Sequence, residues 1–179
     1  MKAIISISIA AMLLVSSALF AKEPGWYGGV SAGSTEIQAF GLDDDAISGG
    51  LLVGFQQSKY IAWEGEVQFS GTAKGQISRV DAEAQYDSWA IGIVGMYPIS
   101  ERYTIFGRFL PMYGRFKVDS IGGLNQNERE GGYTIGAGAS AQLGGFDLRL
   151  RYDVQRVNFE KEPEIKYPKR IGFDVLWQF

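Results

Sequence analysis

The chain has 179 residues, with 24 glycines, 13% aromatic residues, no cysteine, no histidine and a formal net charge of −3. This length suits one domain, and the mild acidity excludes the basic field that nucleic acid requires. Without cysteine or histidine, the chain has no disulfide, no Cys–His or Ser–His–Asp catalytic set and no histidine metal ligand. We therefore expect neither an enzyme nor a cofactor or metal, and the glycine and aromatic content favours a protein of many β-strands.

The first 21 residues have the layout of a secretory signal peptide. Lys2 precedes an uncharged apolar run from Ala3 to Val15, and the segment SSALFA ends in a small residue before a polar stretch. Cleavage after Ala21 is favoured, with cleavage after Ala18 as the alternative and an uncleaved membrane anchor as the competing interpretation. The sequence therefore predicts a signal peptide over residues 1–21 and one domain over residues 22–179.

Apolar and polar residues alternate with period two over eight later segments, which predicts eight strands of about ten residues each. Pro111 interrupts the fifth segment, which predicts a bulge or a break there. In chain order the segments are Trp26–Thr35, Ser48–Gln56, Tyr60–Ser70, Gln85–Tyr97, Tyr103–Lys117, Tyr133–Leu143, Phe146–Val154 and Arg170–Phe179.

The connections between these strands alternate in length. The short ones are residues 57–59, 98–102 and 144–145, and the long polar ones are residues 36–47, 71–84, 119–131 and 158–166. Tight turns at one rim and long loops at the other are typical of an up-and-down antiparallel transmembrane β-barrel. We call the short-turn end the lower rim and the other end the upper rim.

Periodicity alone allows two barrels: a soluble lipocalin-like cup with its apolar face inside, and a transmembrane barrel with its apolar face outside. Eight strands enclose a space that side chains just fill, and the aromatic-rich face of the last strands would overfill it, so we predict that this face meets lipid. Aromatic residues near the strand ends predict two girdles. They are Trp26, Trp63, Tyr97, Tyr103, Trp177 and Phe179 near the lower rim, and Trp89, Tyr113 and Tyr133 near the upper rim.

The opposite face, which points into the lumen, carries nearly equal numbers of acids and bases. Buried charges are stable only when they are paired and hydrogen-bonded, so we predict a network of ion pairs that plugs the lumen. A charged pore constriction is the alternative. The predicted members are Glu64, Glu66, Asp147, Asp153, Asp174, Arg108, Arg149, Arg151 and Arg170. The acidic segment Asp43–Asp45 is interpreted as a solvated loop rather than a calcium site, because it lacks the glycine-punctuated calcium spacing.

With its leader, GWYGGVSAGS as the first strand, WEGEVQFSG as the third and GFDVLWQF as the last, the chain resembles the OmpA-type small outer-membrane β-barrel family over essentially all of residues 22–179. The resemblance implies the outer membrane of a Gram-negative cell, periplasmic termini and a monomer in contact with outer-membrane lipid and lipopolysaccharide. It also implies that the assembly machinery recognises the last strand through Phe173, Val175, Trp177 and Phe179. No segment resembles the peptidoglycan-binding domain of larger members, so we expect no anchoring to the cell wall.

The expected role is structural, or an interaction at the cell surface through the four long loops, with an unidentified extracellular partner. The resemblance adds adhesion or evasion of external attack to this expectation. The main alternative is a narrow porin-like channel for ions or small solutes. A soluble exported ligand-binding barrel is the third hypothesis.

Overall fold

The computed structural model describes residues 24–39, 42–77, 80–120, 125–157 and 168–179, so the predicted signal peptide lies outside the described residues. Among the described residues, no helix is long and apolar enough to cross a membrane. The described chain forms one antiparallel sheet whose strands are β1 (Gly25–Ala39), β2 (Leu42–Gln56), β3 (Ile61–Ser70), β4 (Ala73–Ile77), β5 (Val80–Pro98), β6 (Tyr103–Ser120), β7 (Asn125–Leu143), β8 (Phe146–Val157) and β9 (Lys169–Gln178).

The sheet closes on itself because β1 pairs with β9 and β3 pairs with β5. Strand β4 continues the line of β3 along the same neighbour, β5, so the nine segments occupy eight positions around the barrel. Phe69 pairs with Asp87 and Ala73 pairs with Ala84, so this line gains one residue relative to β5, as in a β-bulge. The prediction of an eight-stranded antiparallel up-and-down barrel is confirmed.

The register of the strands sets the width of the barrel. Each residue in the sheet has a cross-strand partner, and these partners can be followed once around the barrel, starting from Trp26 on β1. The circuit returns to β1 at Glu36, so the strands are staggered by ten residues in total. The residues passed are Phe55, Trp63, Ile93, Phe109, Ile135, Val154 and Lys169. With a rise of about 3.3 Å per residue and about 4.8 Å between strands, this stagger tilts the strands by about 40° and gives a backbone radius of about 8 Å. Side chains fill an interior of this width.

Three of the predicted long loops are largely strand. Strand β1 continues to Ala39 and β2 begins at Leu42, so the segment Asp43–Asp45 pairs with β1 instead of forming a loop. Most of residues 71–84 likewise belong to β4 and the start of β5. Most of residues 119–131 belong to the end of β6 and the start of β7. The predicted loop bounds are wrong here because a hairpin beyond the lipid needs no apolar face, so the alternation that marks a strand disappears. The fourth long connection, residues 158–166, lies outside the described residues.

Pro111 interrupts the hydrogen-bonded pairing of β5 with β6 without changing the register of the two strands. The pairing of β5 with β6 stops after Ala90↔Met112 and resumes at Ile93↔Phe109 in the same register, whereas Pro111 keeps its partner Tyr133 on β7. Proline has no N–H to donate to a ladder, which accounts for the gap. The predicted break is therefore present, and the unchanged register shows that no residue is inserted.

Burial alternates along the strands with the apolar residues on the outside. On β3, Glu64 and Glu66 are buried whereas Trp63 and Val67 are exposed. This is the reverse of a soluble barrel and is the arrangement of a transmembrane one. Some apolar side chains do point inward, and those below mid-height form a cluster of Tyr27, Leu52, Ala62, Val94, Phe106 and Leu176, with Met96 packed against it.

Glycines stand opposite large inward side chains. Glu64 pairs with Gly54 on one side and with Gly92 on the other, and Arg151 pairs with Gly138 and Gly172. In a narrow barrel, small and large residues must alternate so that the large ones fit. The glycines of the inner wall therefore make room for the buried charges.

Gly136 provides a test of this packing. A Cβ atom there would contact Oδ1 of Asp153, so Gly136→Val should lower the free energy of unfolding by about 2 kcal/mol through overpacking. The control is Gly107→Val, because a Cβ at this lipid-facing position meets only the carbonyl oxygen of Gly136, at 3.9 Å. Denaturant unfolding in lipid vesicles measures both, and equal losses in the two variants would contradict the packing argument.

Candidate functional site

Four arginines and four carboxylates meet at mid-height in the lumen. They project from β3, β6, β8 and β9, and none is more than 6% exposed. Their formal charges cancel, as expected for charges that water cannot solvate. We call these eight residues the lumen network: Glu64, Glu66, Asp153, Asp174, Arg108, Arg149, Arg151 and Arg170.

The carboxylate of Glu66 is the centre of the lumen network. It accepts hydrogen bonds from Nη2 of Arg108 at 2.7 Å, from Nη1 of Arg151 at 2.9 Å and from Nη1 of Arg170 at 2.7 Å. A second nitrogen of Arg151 also donates to this carboxylate. One acid on β3 is thus held by three bases on β6, β8 and β9, and it links walls of the barrel that are not neighbours in the sheet.

Arg108 provides the second link across the lumen. Its Nε and Nη2 donate to the two oxygens of Asp153 at 2.8 and 2.9 Å, and its Nη1 donates to Oε1 of Glu64 at 3.0 Å. The paired bonds to Asp153 form the fork geometry that makes arginine–carboxylate pairs strong and directional. Because one guanidinium contacts three carboxylates, it fixes the relative positions of β3, β6 and β8.

The lower end of the network rests on aromatic rings. Arg149 donates to Oε2 of Glu64 at 2.6 Å, and its guanidinium carbon lies 5.2 Å from the ring centroids of both Tyr27 and Phe106. The hydroxyl of Tyr27 donates to the same Glu64 oxygen at 2.9 Å. Tyr27 is absent from the predicted site residues. The sequence does contain a signal for Tyr27: it follows Trp26, which faces outward, and alternation along a strand therefore places the Tyr27 side chain in the lumen.

The β9 end of the network is less fully bonded. Nε of Arg151 donates to Oδ1 of Asp174 at 3.1 Å, and Nη2 of Arg170 donates to Oγ of Ser31 at 3.0 Å. Oδ2 of Asp174 and Nε of Arg170 are buried, and neither has a hydrogen-bond partner among the described residues. Asp174 therefore has the arginine partner that its inward position suggests, through one of its two oxygens.

Asp147, the ninth predicted member, lies lower in the barrel. It is one inward position below Arg149 and lines a cavity of about 500 Å³ at the lower rim, together with Gln56, Lys59, Arg102, Thr104, Ser140 and Gln142. Only part of its surface is buried. The structure therefore gathers eight of the nine predicted residues at mid-height and leaves Asp147 at the lower opening, because a strand tilted by about 40° spreads its inward residues over several heights.

A neutral polar layer lies above the lumen network. Gln155 donates to Gln68 at 3.0 Å, Gln68 donates to Thr35 at 3.4 Å, and Thr35 donates to Ser48 at 3.0 Å. All four side chains are buried. None of them is among the predicted site residues, since uncharged inward residues give no signal of their own beyond the alternation.

The predicted girdle residues all lie on the outer face. Seven of the eight tryptophans and tyrosines are exposed and Tyr133 is half-buried. Near the upper rim, the rings of Trp89 and Tyr113 lie 6.0 Å apart, and those of Phe109 and Tyr133 lie 5.7 Å apart. The residues of the proposed assembly signal, Phe173, Val175, Trp177 and Phe179, also share the outer face of the last strand, where the backbone N–H of Phe179 donates to the carbonyl oxygen of Trp26 at 3.0 Å.

The acidic segment Asp43–Asp45 contributes little that can be described. Asp45 is exposed, and the side chains of the other two aspartates lie outside the described part of the chain. Among the described residues, no group of three or more aspartates and glutamates is placed to hold a metal ion.

Comparisons with known proteins place this geometry in context. A family model described as outer membrane protein beta-barrel domain matches residues 7–179, and no curated protein matches the chain. Neisserial surface protein A has a similar structure, with a TM-score of 0.70, 14% identity and coverage of 90% of this chain and 100% of that chain. The attachment invasion locus protein of Yersinia pestis, in complex with the heparin analogue sucrose octasulfate, has a TM-score of 0.57 and 16% identity, with coverage of 87% of this chain and 97% of that chain. A major outer membrane protein from Thermus thermophilus has a TM-score of 0.55 and 11% identity, with coverage of 86% of this chain and 99% of that chain. At these identities the structures establish a shared fold.

The lumen network predicts a specific pattern of stability. Glu66→Gln should lower the free energy of unfolding by about 3 kcal/mol, because Arg170 loses the carboxylate that it contacts and Arg108 and Arg151 each lose one of theirs. Arg151→Ala should act in the same direction. Asp147→Asn is the control and should cost less than about 1 kcal/mol, since it lies at the open lower rim. The readout is the temperature at which gel mobility changes from folded to unfolded. A shift as large for Asp147→Asn as for Glu66→Gln would contradict the special position of Glu66.

Proposed function

Since this chain belongs to the outer membrane protein β-barrel domain family, we propose that it is an outer-membrane protein with a plugged lumen, which acts through the hairpins at its upper rim. The observation that carries the proposal is the lumen network, in which Arg108 contacts Glu64, Glu66 and Asp153 across the barrel. Under this proposal the termini are periplasmic and the hairpins face the outside.

Buried side chains on both sides of the network support a closed lumen. On β6, Arg108 lies between the inward residues Phe106 and Leu110, which are buried, as are Leu176 below mid-height and Tyr86 above it. A conducting path needs continuous water, and closely packed buried side chains at these levels leave little room for it. Opening this barrel would mean separating several buried ion pairs, each of which is costly to break.

The shape of the upper rim supports a role at the surface. Trp89, in the upper girdle, lies nine residues from the start of β5 at Val80, which is about 30 Å of strand. Paired hairpins of this length project well beyond the lipid, whereas the lower turns end close to their girdle. Paired strands also keep their side chains in fixed positions, so a partner meets a preformed surface and loses little entropy on binding.

The plug is tested by electrical recording of the refolded protein in a planar bilayer. We expect no discrete conductance steps from the parent. The charge-neutral double variant Arg108→Ala with Glu66→Ala removes two side chains that cross the lumen and should produce small steps. A lipid-facing change, Phe109→Ala, serves as the control and should stay silent. Steady discrete steps from the parent would favour the narrow-channel alternative.

The surface role is tested by shortening one hairpin. Replacing residues 119–125 with Asn-Gly joins Val118 to its cross-strand partner Gln126 by a tight turn. Cells that express the parent should attach to matrix-coated surfaces several-fold more than cells without the protein, and the shortened variant should lose this gain while its barrel remains heat-modifiable. Ser100→Gly at a lower turn is the control. Equal attachment of the parent and the shortened variant would contradict a role for this hairpin.

A further inference from the structure

The cavity at the lower rim is large enough to hold a small molecule. Its volume of about 500 Å³ falls within the range of about 300–1,000 Å³ that is usual for ligand pockets. The three turns around its mouth, residues 57–60, 99–102 and 144–145, all belong to the described part of the chain. We call it the lower cavity, and its walls include inward residues of β2, β5, β6, β7 and β8: Gln56, Met96, Thr104, Ser140, Asp147 and Arg149.

A buried cation reaches the inner end of the lower cavity. Arg149 lines the cavity with 8% of its side chain exposed, whereas the side chain of Arg151, higher on the same strand, is 0% exposed. Nη1 of Arg149 donates to Glu64 at 2.6 Å, and a guanidinium carries five N–H donors. The rings of Tyr27 and Phe106, each 5.2 Å from its guanidinium carbon, hold the group in place. Arg149 therefore presents hydrogen-bond donors to the cavity in a fixed position, which reduces the entropy lost when a ligand binds.

The register of the strands places other polar groups beside this cation. Ser140 on β7 is the cross-strand partner of Arg149, and Thr104 on β6 is the partner of Ser140, so the two hydroxyl side chains continue the row at steps of about 4.8 Å. Asp147 lies two residues from Arg149 on the same inward face of β8, a separation of about 7 Å along the strand. Gln142 is the cross-strand partner of Asp147. A positive and a negative group thus stand side by side on one wall of the cavity, each next to a neutral hydrogen-bonding residue.

The composition of the cavity indicates the chemistry of its ligand. Asp147 has a contact within the protein, but a carboxylate has about four acceptor sites, so it can also accept from a ligand ammonium. Met96 and Pro98 add an apolar wall on β5. The mouth carries charges of both signs, on Lys59, Glu101 and Arg102. A molecule with one carboxylate, one ammonium and one apolar group matches all three surfaces, whereas a simple anion or cation would leave one of the two charged wall residues without a ligand group.

We propose that the lower cavity binds an amino-acid zwitterion with an apolar side chain, as a free amino acid or at the ends of a short peptide. Arg149 and Ser140 donate to its carboxylate, because arginine N–H groups form strong charge-assisted bonds to carboxylates. Asp147 and Gln142 accept from its ammonium group, and Met96 contacts its side chain. The inference goes beyond the proposed function, which concerns the upper rim, and the two can be tested separately.

The experiment is a calorimetric titration of the refolded full chain in nanodiscs, where both rims of the barrel meet solvent. The probes are L-leucine and leucyl-leucine, which carry the same three groups at two lengths. At least one of them should bind, and the ratio of their affinities gives the ligand length that the cavity fits. N-acetyl-leucine lacks the ammonium group and 3-methylbutylamine lacks the carboxylate, so each should bind roughly tenfold more weakly than leucine or worse.

Two variants locate the site without removing a member of the lumen network. Asp147→Asn should weaken leucine binding roughly tenfold and leave the weak binding of N-acetyl-leucine unchanged, because only the ammonium contact is lost. Ser140→Leu should abolish binding by filling the space beside Arg149. Its matched control is Ala139→Leu, the same change at the next residue of β7, which is exposed on the outer face and should bind like the parent. Heat-modifiability checks that each variant is folded.

Three results would overturn the cavity proposal. These are a folded parent that binds neither leucine nor leucyl-leucine, binding of N-acetyl-leucine or 3-methylbutylamine as tight as that of leucine, and equal loss of binding in Ser140→Leu and Ala139→Leu. Vesicles that contain the parent should also retain entrapped leucine. Leakage of leucine with binding intact would remove the closed lumen of the proposed function and leave the lower cavity as a binding site. A parent that is closed and binds no probe would do the reverse.

Discussion

The charged side chains at mid-height in this barrel are almost fully buried and have lipid beyond the wall, so they must satisfy one another. The structure meets this constraint with four arginines and four carboxylates in mutual contact. Glu66 receives three arginines, and Arg108 contacts three carboxylates. Removing any member leaves its partners charged and buried, which costs more than the pair contributes when intact. The stability of the barrel therefore depends on this condition.

The same constraint accounts for the inner wall around the network. Glycines opposite Glu64 and Arg151 provide the volume that the long side chains need. Apolar residues such as Phe106 and Leu110 cover the network on both sides. The network also opposes slippage, because a shift of one residue on β8 would turn Arg151 towards lipid and a leucine towards the ion pairs. Hydrophobic residues of similar volume can be as stable as buried ion pairs, and they would not distinguish one register from another so strictly.

The outer wall obeys the opposite rule, and charge on it is informative for that reason. Between the girdles the outward residues are apolar or small, as lipid requires. Above the upper girdle, charged residues return around the rim, where Lys169 pairs with Glu36 and Arg115 is the cross-strand neighbour of Arg129. Under the proposed plug, the barrel interacts with other molecules at this rim and at the hairpins above it.

Alternation along the chain by itself determined the number of membrane strands, their order and the face that each residue presents, because side-chain direction in a strand depends only on position. It was sufficient to predict that Glu64, Glu66 and Arg151 face the lumen and that Trp89 faces outward. Tertiary structure decided which charges meet, since contacts across the lumen depend on a stagger of ten residues accumulated around the whole barrel. For this reason Tyr27 joins Glu64, Asp147 stays at the lower opening, and Arg115 faces Arg129. The hairpins above the lipid were also missed, because strands with no apolar face to bury carry no periodic signal.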